Sequence, residues 1–220
     1  MDLKSFEWTG STQPWKAIQE EIRNRVRREP LGAIPRFVAG ADCAFSRDGT
    51  RIRAAAVVYD RESKTVIDHV ELVQPCTIPY IPTYLSFREI PAILAALSRL
   101  THTYHALLVD GQGIAHPRRC GIATHLGVLL DLPTVGCAKS RLIGEHAEPG
   151  RSRGSSAKLM DRDEQIGVVL RTRDGVKPLY VSIGHRLDLE SAIELTLACC
   201  TRYRLPEPTR IADHLSKFRP

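Results

Sequence analysis

ALLVDGQGIAHPRRCGIATHLGVLLDLPTVGC, residues 106–137, decides the architecture. A short apolar run, Ala106 to Val109, ends at Asp110 and meets Gly111-Gln112-Gly113. Gly121 to Leu130 then reads as a helix, and Thr134 to Cys137 is apolar again. Strand, helix, strand in that order is a β-α-β unit, which requires parallel neighbours in one sheet. A carboxylate at the end of a buried strand, backed by small residues, is where open α/β sheets place their chemistry. Between the two strands, Val109 to Gly127 collects one acid, four glycines, two histidines and two arginines.

Upstream, the grammar is different. Trp15 to Arg28 reads as an amphipathic helix with Ile18, Ile22 and Val26 on one stripe. Phe37 to Phe45 reads as a strand of small residues. Arg47-Asp48-Gly49 is a turn, and Arg51 to Tyr59 returns antiparallel. A second turn leads to a third strand, Val66 to Val73. A Pro-rich loop, Pro75 to Pro82, precedes a helix carrying Ile90, Ile93, Leu94, Leu97 and Leu100, with a kink or new start expected near Pro91. Downstream, Lys139 to Lys158 reads as a basic Gly- and Ser-containing loop. Strands Ile166 to Arg171 and Leu179 to Ser182 and helices Leu189 to Cys200 and Thr209 to Lys217 follow. The expectation is one α/β domain over 1–220, with a mixed sheet of a three-strand meander plus parallel strands, flanked by helices. That order is the one used by ribonuclease H-like nucleases.

The composition sets bounds. The 220 residues are 43% apolar, enough for a real core. Lys and Arg number 31 against 25 Asp and Glu, a net charge of +6, which favours a polyanionic partner. Six cysteines form no Cys-x-x-Cys pair and sit mostly in apolar runs, so zinc ribbons are excluded and a reducing compartment is expected. The opening MDLKSFEWTG lacks the apolar core of a secretory signal, and no run is long enough to span a bilayer. A cytoplasmic chain with no membrane partner is expected.

Two acids stand out because they interrupt core strands. Asp42 lies inside VAGADCAF, on the face of Val38, Gly40 and Ala44. A buried carboxylate is expensive unless it is paired or binds a metal; a salt bridge to a nearby arginine and an exposed strand end are the alternatives. Asp110 ends the strand expected beside it. Glu89 lies in FREIP beside an apolar helix face, and Asp213 lies in PTRIADHL with His214 next to it. Four acids from four elements fit a site for Mg²⁺, which takes oxygen ligands and acts on phosphodiesters. Other chemistries lack their motifs: there is no phosphate-binding Gly-x-x-x-x-Gly-Lys loop, no Gly-x-Ser-x-Gly elbow, no full dinucleotide fingerprint and no His-Glu-x-x-His.

VAGADCAF, PYIPTYLSFREIP, VDGQGIAHPRRCGIATHLGV, GCAKSRLIG and PEPTRIAD together resemble the endonuclease V family, in that family's order and over roughly residues 37–215. The resemblance implies a ribonuclease H-like fold and a nuclease dependent on Mg²⁺, or on Mn²⁺ in its place. It implies recognition of deaminated bases, above all hypoxanthine in deoxyinosine. Cleavage falls at the second phosphodiester 3′ to the lesion and leaves a 3′-hydroxyl and a 5′-phosphate. DNA with deaminated bases is the expected partner, with inosine-containing RNA as the rival substrate, and a monomer is expected.

Carried over by motif, Asp42 and Asp110 would be metal ligands, with Glu89 completing or supporting the site. Asp213 or His214 would face the metal. Lys139 would sit near the scissile phosphate. Tyr80, held between Pro79 and Pro82, would be part of a wedge that fills the gap left by the lesion. Ile81, Pro82, Leu85, Arg88, Gly121, Ile122 and Leu142 would contact lesion or strand. Gly111 and Gly113 would let backbone donors approach the flipped base. His116, Arg118 and Arg119 would meet phosphates, a solvated face being the alternative for the arginines. A non-catalytic binding module is the remaining rival; such a module should have lost a ligand, and all four acids are present.

Overall fold

The computed structural model describes residues 6–218, so the ends of the expected 1–220 span, residues 1–5 and 219–220, lie outside the described residues. Helix α1 (Gln13–Asn24) begins with Pro14 in its first turn, where a missing N–H costs nothing, and buries Trp15, Gln19 and Ile22. Strands β1 (Phe37–Phe45), β2 (Arg51–Asp60) and β3 (Thr65–Pro75) form the antiparallel meander. Helix α2 (Leu85–Leu97) leads to β4 (Ala106–Val109), α3 (Ile122–Leu130) and β5 (Thr134–Ala138). Strands β6 (Ser156–Asp161), β7 (Glu164–Leu170) and β8 (Leu179–His185) precede α4 (Leu189–Ala198) and α5 (Glu207–Ser216).

All eight strands join one sheet in the order β3-β2-β1-β4-β5-β8-β7-β6. Strand β1 is parallel to β4, and β4 to β5; the other pairs are antiparallel. This is the ribonuclease H-like arrangement expected from the sequence. The central β4 and β5 are buried throughout, as parallel strands covered on both faces must be. The outer β3 alternates between exposed and half-buried residues. Phe87, Ile90 and Ile93 of α2 and Leu126 of α3 pack on one face with Ala39, Ala41, Leu107 and Val109. Ala192 and Leu195 of α4 pack on the other with Val38, Leu108, Val135 and Val181. No helix among the described residues is long and apolar enough to cross a membrane.

Three expectations are corrected. Helix α1 stops at Asn24 rather than Arg28, because the Arg27 N–H donates to His185 Nδ1 (3.2 Å) and its carbonyl accepts from Arg186 N–H (2.9 Å). Those bonds draw the chain away from the helical path. Helix α2 runs through Pro91 without a new start. Strand β6 occupies the end of the segment read as a loop. It is an edge strand paired only with β7, so its sequence, SAKLMD, carries no continuous apolar signal.

Helix α5 crosses β1 where the strand is bare. A methyl group on Gly40 would stand 2.3 Å from the Pro208 carbonyl carbon. Gly40→Ala must therefore push α5 off the sheet, and a loss of about 1–3 kcal/mol in urea unfolding is expected. An unchanged midpoint would mean that the helix is not seated there.

Candidate active site

Asp42 points from β1 to the face covered by α5, where Ser216 Oγ donates to its Oδ2 at 2.8 Å. Asp110 follows the last residue of β4, one strand over. Asp213 arrives on α5, three residues before Ser216 and so on the same helical face. Glu89 comes from α2. Asp42 feels the charges of Asp110 and Asp213, and Glu89 those of Asp42 and Asp110, so the four acids lie near one end of β1 and β4.

Lys139, just past β5, is their main counter-charge. Its ammonium pairs with Asp110 and lies 2.9 Å from Asp213 Oδ1. Lys217 also pairs with Asp213, at 2.6 Å. Burial works against the charge on Lys139, but its bonds to Asp110 and Asp213 hold it above the usual lysine range. Burial likewise opposes ionisation of Asp213, yet Lys217 and Lys139 keep it below the usual carboxylate range. For Asp42 burial wins, aided by Asp110 and Asp213, and its pKa is pushed up to about 7. Burial, with Asp42 and Asp110 nearby, pushes Glu89 to about 8. Asp110 is also raised, chiefly by burial, despite Lys139.

The cluster thus holds more carboxylate than its cations neutralise, which is the condition a bound divalent cation relieves. The donors are all hard oxygens, the set Mg²⁺ takes. Among the described residues no three His, Cys, Asp or Glu side chains stand close enough to hold a metal ion together, so protein donors here number at most two. An ion here would keep open positions for water and phosphate oxygens, as Mg²⁺ usually does. The residues therefore fit such an ion, with Asp42 and Asp110 as the donors and Glu89 beside them.

The same shifts fix a pH dependence. Between about pH 4 and pH 8 the folded protein keeps protons on Asp42 and Glu89 that the unfolded chain releases. Folded protein then binds more protons than unfolded, so this contribution to stability falls as pH rises through that window. In chelator, the urea midpoint should fall between pH 5.5 and pH 8 more in wild type than in Glu89→Gln. Equal falls in the two would show that Glu89 is ionised throughout.

Beside the cluster lies a cavity of about 340 Å³, within the range of small-ligand pockets. Asp110 and Lys139 line it, together with Gly111, Gln112, Gly121, Ile122, Leu85 and His116. Tyr80 and Leu142 stand at its rim with 63% and 47% of their surfaces exposed, unusual for large apolar side chains. Gln112 Nε2 donates to Ser140 O at 3.0 Å and ties two walls together.

Gly113, Arg88, Ile81, Pro82, Arg118 and Arg119 do not line this cavity. Gly113 is buried: a methyl there would stand 2.0 Å from Ile183 O, and its N–H donates to Ser182 Oγ. It lets the loop lie flat on β8 and does not face the cavity. Arg88 stacks over Phe45 at 3.8 Å and lines a different cavity. Ile81 packs against the core and Pro82 is exposed. His116 and Arg118 bond to Thr83, and Arg119 pairs with Asp161 (2.7 Å) and Glu164 (2.8 Å). These bonds engage Arg118 through Nε and Nη2 and Arg119 through all three guanidinium nitrogens. His214 is exposed, and it is Asp213 that turns to the acids.

Sequence reasoning missed Ser216, Arg204 and Gln112. Arg204 Nη2 donates to the Lys139 carbonyl at 2.8 Å. Only Gln112, inside the glycine-rich stretch, carried a signal in the sequence.

Comparison with known proteins bears on this geometry. The sequence profile of the endonuclease V family matches residues 20–214. The endonuclease V of Nostoc punctiforme is 50% identical over 217 residues, 98% of either chain. The crystal structure of endonuclease V from Streptomyces avermitilis superposes with a TM-score of 0.88 at 44% identity, covering 94% of this chain and 92% of that one. The Ciona intestinalis endonuclease V, in complex with a 24mer DNA containing an inosine followed by a ribo-adenosine, superposes at 0.79 with 28% identity over 92% and 94% of the two chains.

Proposed function

The chain belongs to the endonuclease V family, and on that premise we propose that it nicks DNA at the second phosphodiester 3′ to a deaminated base, above all deoxyinosine. The observation that carries this reading is that one cavity of base-binding size shares Asp110 and Lys139 with the carboxylate cluster. A base drawn into the cavity brings its own strand against the acids. The positive end of α3, at Gly121 and Ile122, opens onto the cavity and favours a carbonyl oxygen such as that of hypoxanthine.

Hydrolysis adds a water oxygen to phosphorus and breaks the bond to the 3′ oxygen, leaving a 3′-hydroxyl and a 5′-phosphate. Mg²⁺, or Mn²⁺ in its place, would be held by Asp42 and Asp110 with support from Glu89. When bound it supplies polarisation of the phosphoryl group and of an attacking water. Lys139, held as a cation by Asp110 and Asp213, would stabilise the charge that develops on phosphoryl oxygens. Asp213 holds Lys139 in place, and Ser216 orients Asp42.

All six cysteines are unbridged, in keeping with a reducing compartment such as the cytoplasm. The ribonucleotide after the inosine in the strand bound by the Ciona relative favours inosine-containing RNA as a second substrate. The test is nicking of matched strands containing deoxyinosine, inosine or neither, with and without Mg²⁺, and with product ends mapped. Cleavage indifferent to the modified base would sink the proposal.

Binding should also weaken with salt, log K falling linearly with log salt concentration. Part of the slope should come from Arg141 and Lys177, which line a groove running on from the site. Arg141→Ala or Lys177→Ala should each reduce the slope by about one. A slope unchanged in both would place the strand elsewhere.

A further inference from the structure

We infer that Gln19, on α1, is a positioning residue for lesion selectivity: it locks the loop that carries Tyr80. The inference rests on the reading of the cavity as the base pocket. Gln19 itself is absent from the cavity lining and from the acid cluster. Its influence passes through Thr83.

Thr83 has φ of 68°, in the left-handed region. A β-branched residue there is an outlier, and such a conformation persists only when its surroundings over-determine it. They do. The Thr83 carbonyl accepts from Gln19 Nε2 (3.0 Å), His116 Nε2 (3.0 Å) and Arg118 Nη2 (2.9 Å). Its Oγ1 accepts from Arg118 Nη2 at 2.6 Å.

Gln19 joins these contacts into one unit. Its Oε1 accepts from Arg118 Nε, and its Nε2 also donates to Cys120 O at 3.3 Å. It is completely buried. His116 has a defined tautomer. Its Nδ1 accepts the Arg118 backbone N–H at 3.2 Å, so the single proton of a neutral ring lies on Nε2 and is donated to Thr83. Burial, with Arg118 alongside, lowers its pKa to about 4 and keeps the ring neutral. The next residue is gripped too: the Arg118 guanidinium lies 4.2 Å over the Tyr84 ring, and Trp15 of α1 stacks on Phe87 at 4.7 Å.

A wedge that opens stacked bases must hold its place while it is pushed, because unstacking costs a few kcal/mol. Rigidity in the bound conformation is gained by ordering the loop beforehand. Three side chains converge on one carbonyl of a strained residue, three positions from the exposed ring, and supply that order.

The test uses Gln19→Met, which keeps the unbranched length and removes every polar contact, and Gln19→Glu. The latter keeps the acceptor for Arg118 but removes the donor to Thr83 and Cys120, and serves if the first variant does not fold. Affinity in Ca²⁺ is measured for duplexes with and without one deoxyinosine and for a single strand with it. Amide exchange is followed over residues 77–84. The ratio of lesion to undamaged duplex affinity should fall about three- to tenfold, the effect of one or two lost hydrogen bonds. Single-strand affinity should stay within about twofold, since no stack has to be opened. Exchange over 77–84 should quicken while that of the central strands does not change. A merely structural role would weaken every substrate together.

A folded variant with wild-type selectivity and wild-type exchange over 77–84 overturns the inference. Wild-type protein that fails to distinguish deoxyinosine overturns the base-pocket reading and the selectivity claim with it. Exchange over 77–84 then decides the clamp by itself.

Discussion

Asp42→Ala or Asp110→Ala is expected to reduce single-turnover nicking of a deoxyinosine duplex by on the order of a thousandfold or more, the cost of removing a ligand from a metal-assisted phosphoryl transfer. Stability should hardly suffer. Both carboxyls are raised in the folded protein, chiefly by burial, so each is an electrostatic burden there. Asp42→Ala loses only the bond from Ser216, and Asp110→Ala leaves Lys139 paired with Asp213. Urea midpoints close to wild type above pH 7, with lesion binding retained in Ca²⁺, would separate loss of chemistry from loss of fold. Nicking within about tenfold of wild type in either variant would refute the assignment, since a lost ligand costs several kcal/mol.

The two acids stand out in the sequence because Asp42 interrupts an apolar strand and Asp110 ends one, where a charge without a task is costly. The choice between Asp213 and His214 was not legible. Neighbours on a helix point about 100° apart, and only docking decides which turns inward. That docking is set by Gly40, whose bare backbone admits Pro208 and fixes the rotation of α5 over β1. Ser216, one turn on from Asp213, then reaches Asp42. The internal partners of the arginines were not legible for a related reason. Arg118 looks like a free surface cation in sequence, yet its partners Gln19 and Thr83 lie 99 and 35 residues away. No local pattern announces such partners. Gly113 shows that a glycine beside an acid can serve the sheet instead of a ligand. The β-α-β order, by contrast, was readable because β4 and β5 are buried on both faces and leave continuous apolar runs.

Tyr80→Ala is expected to impair finding the lesion while leaving the metal site alone. The ring is 63% exposed at the cavity rim, with Leu142 on the same rim, so it contributes little to the core. It shares the cavity with Asp110 and Lys139 but stands at the mouth, where a strand would enter. Stacking of an aromatic ring on a base contributes roughly 1–3 kcal/mol, so deoxyinosine duplex affinity should fall about five- to hundredfold. The loss should be smaller on single-stranded or mismatched substrate, where less unstacking is needed. Tyr80→Phe should retain most of the wild-type selectivity, because the ring and not the hydroxyl fills the gap. Binding is measured in Ca²⁺, which is expected to occupy the site without supporting cleavage, on duplexes with and without one deoxyinosine. Divalent-cation affinity, measured separately by calorimetry, should not move. If Tyr80→Ala binds both duplexes as wild type does, the ring is not a wedge, and its exposure at the cavity mouth needs another cause.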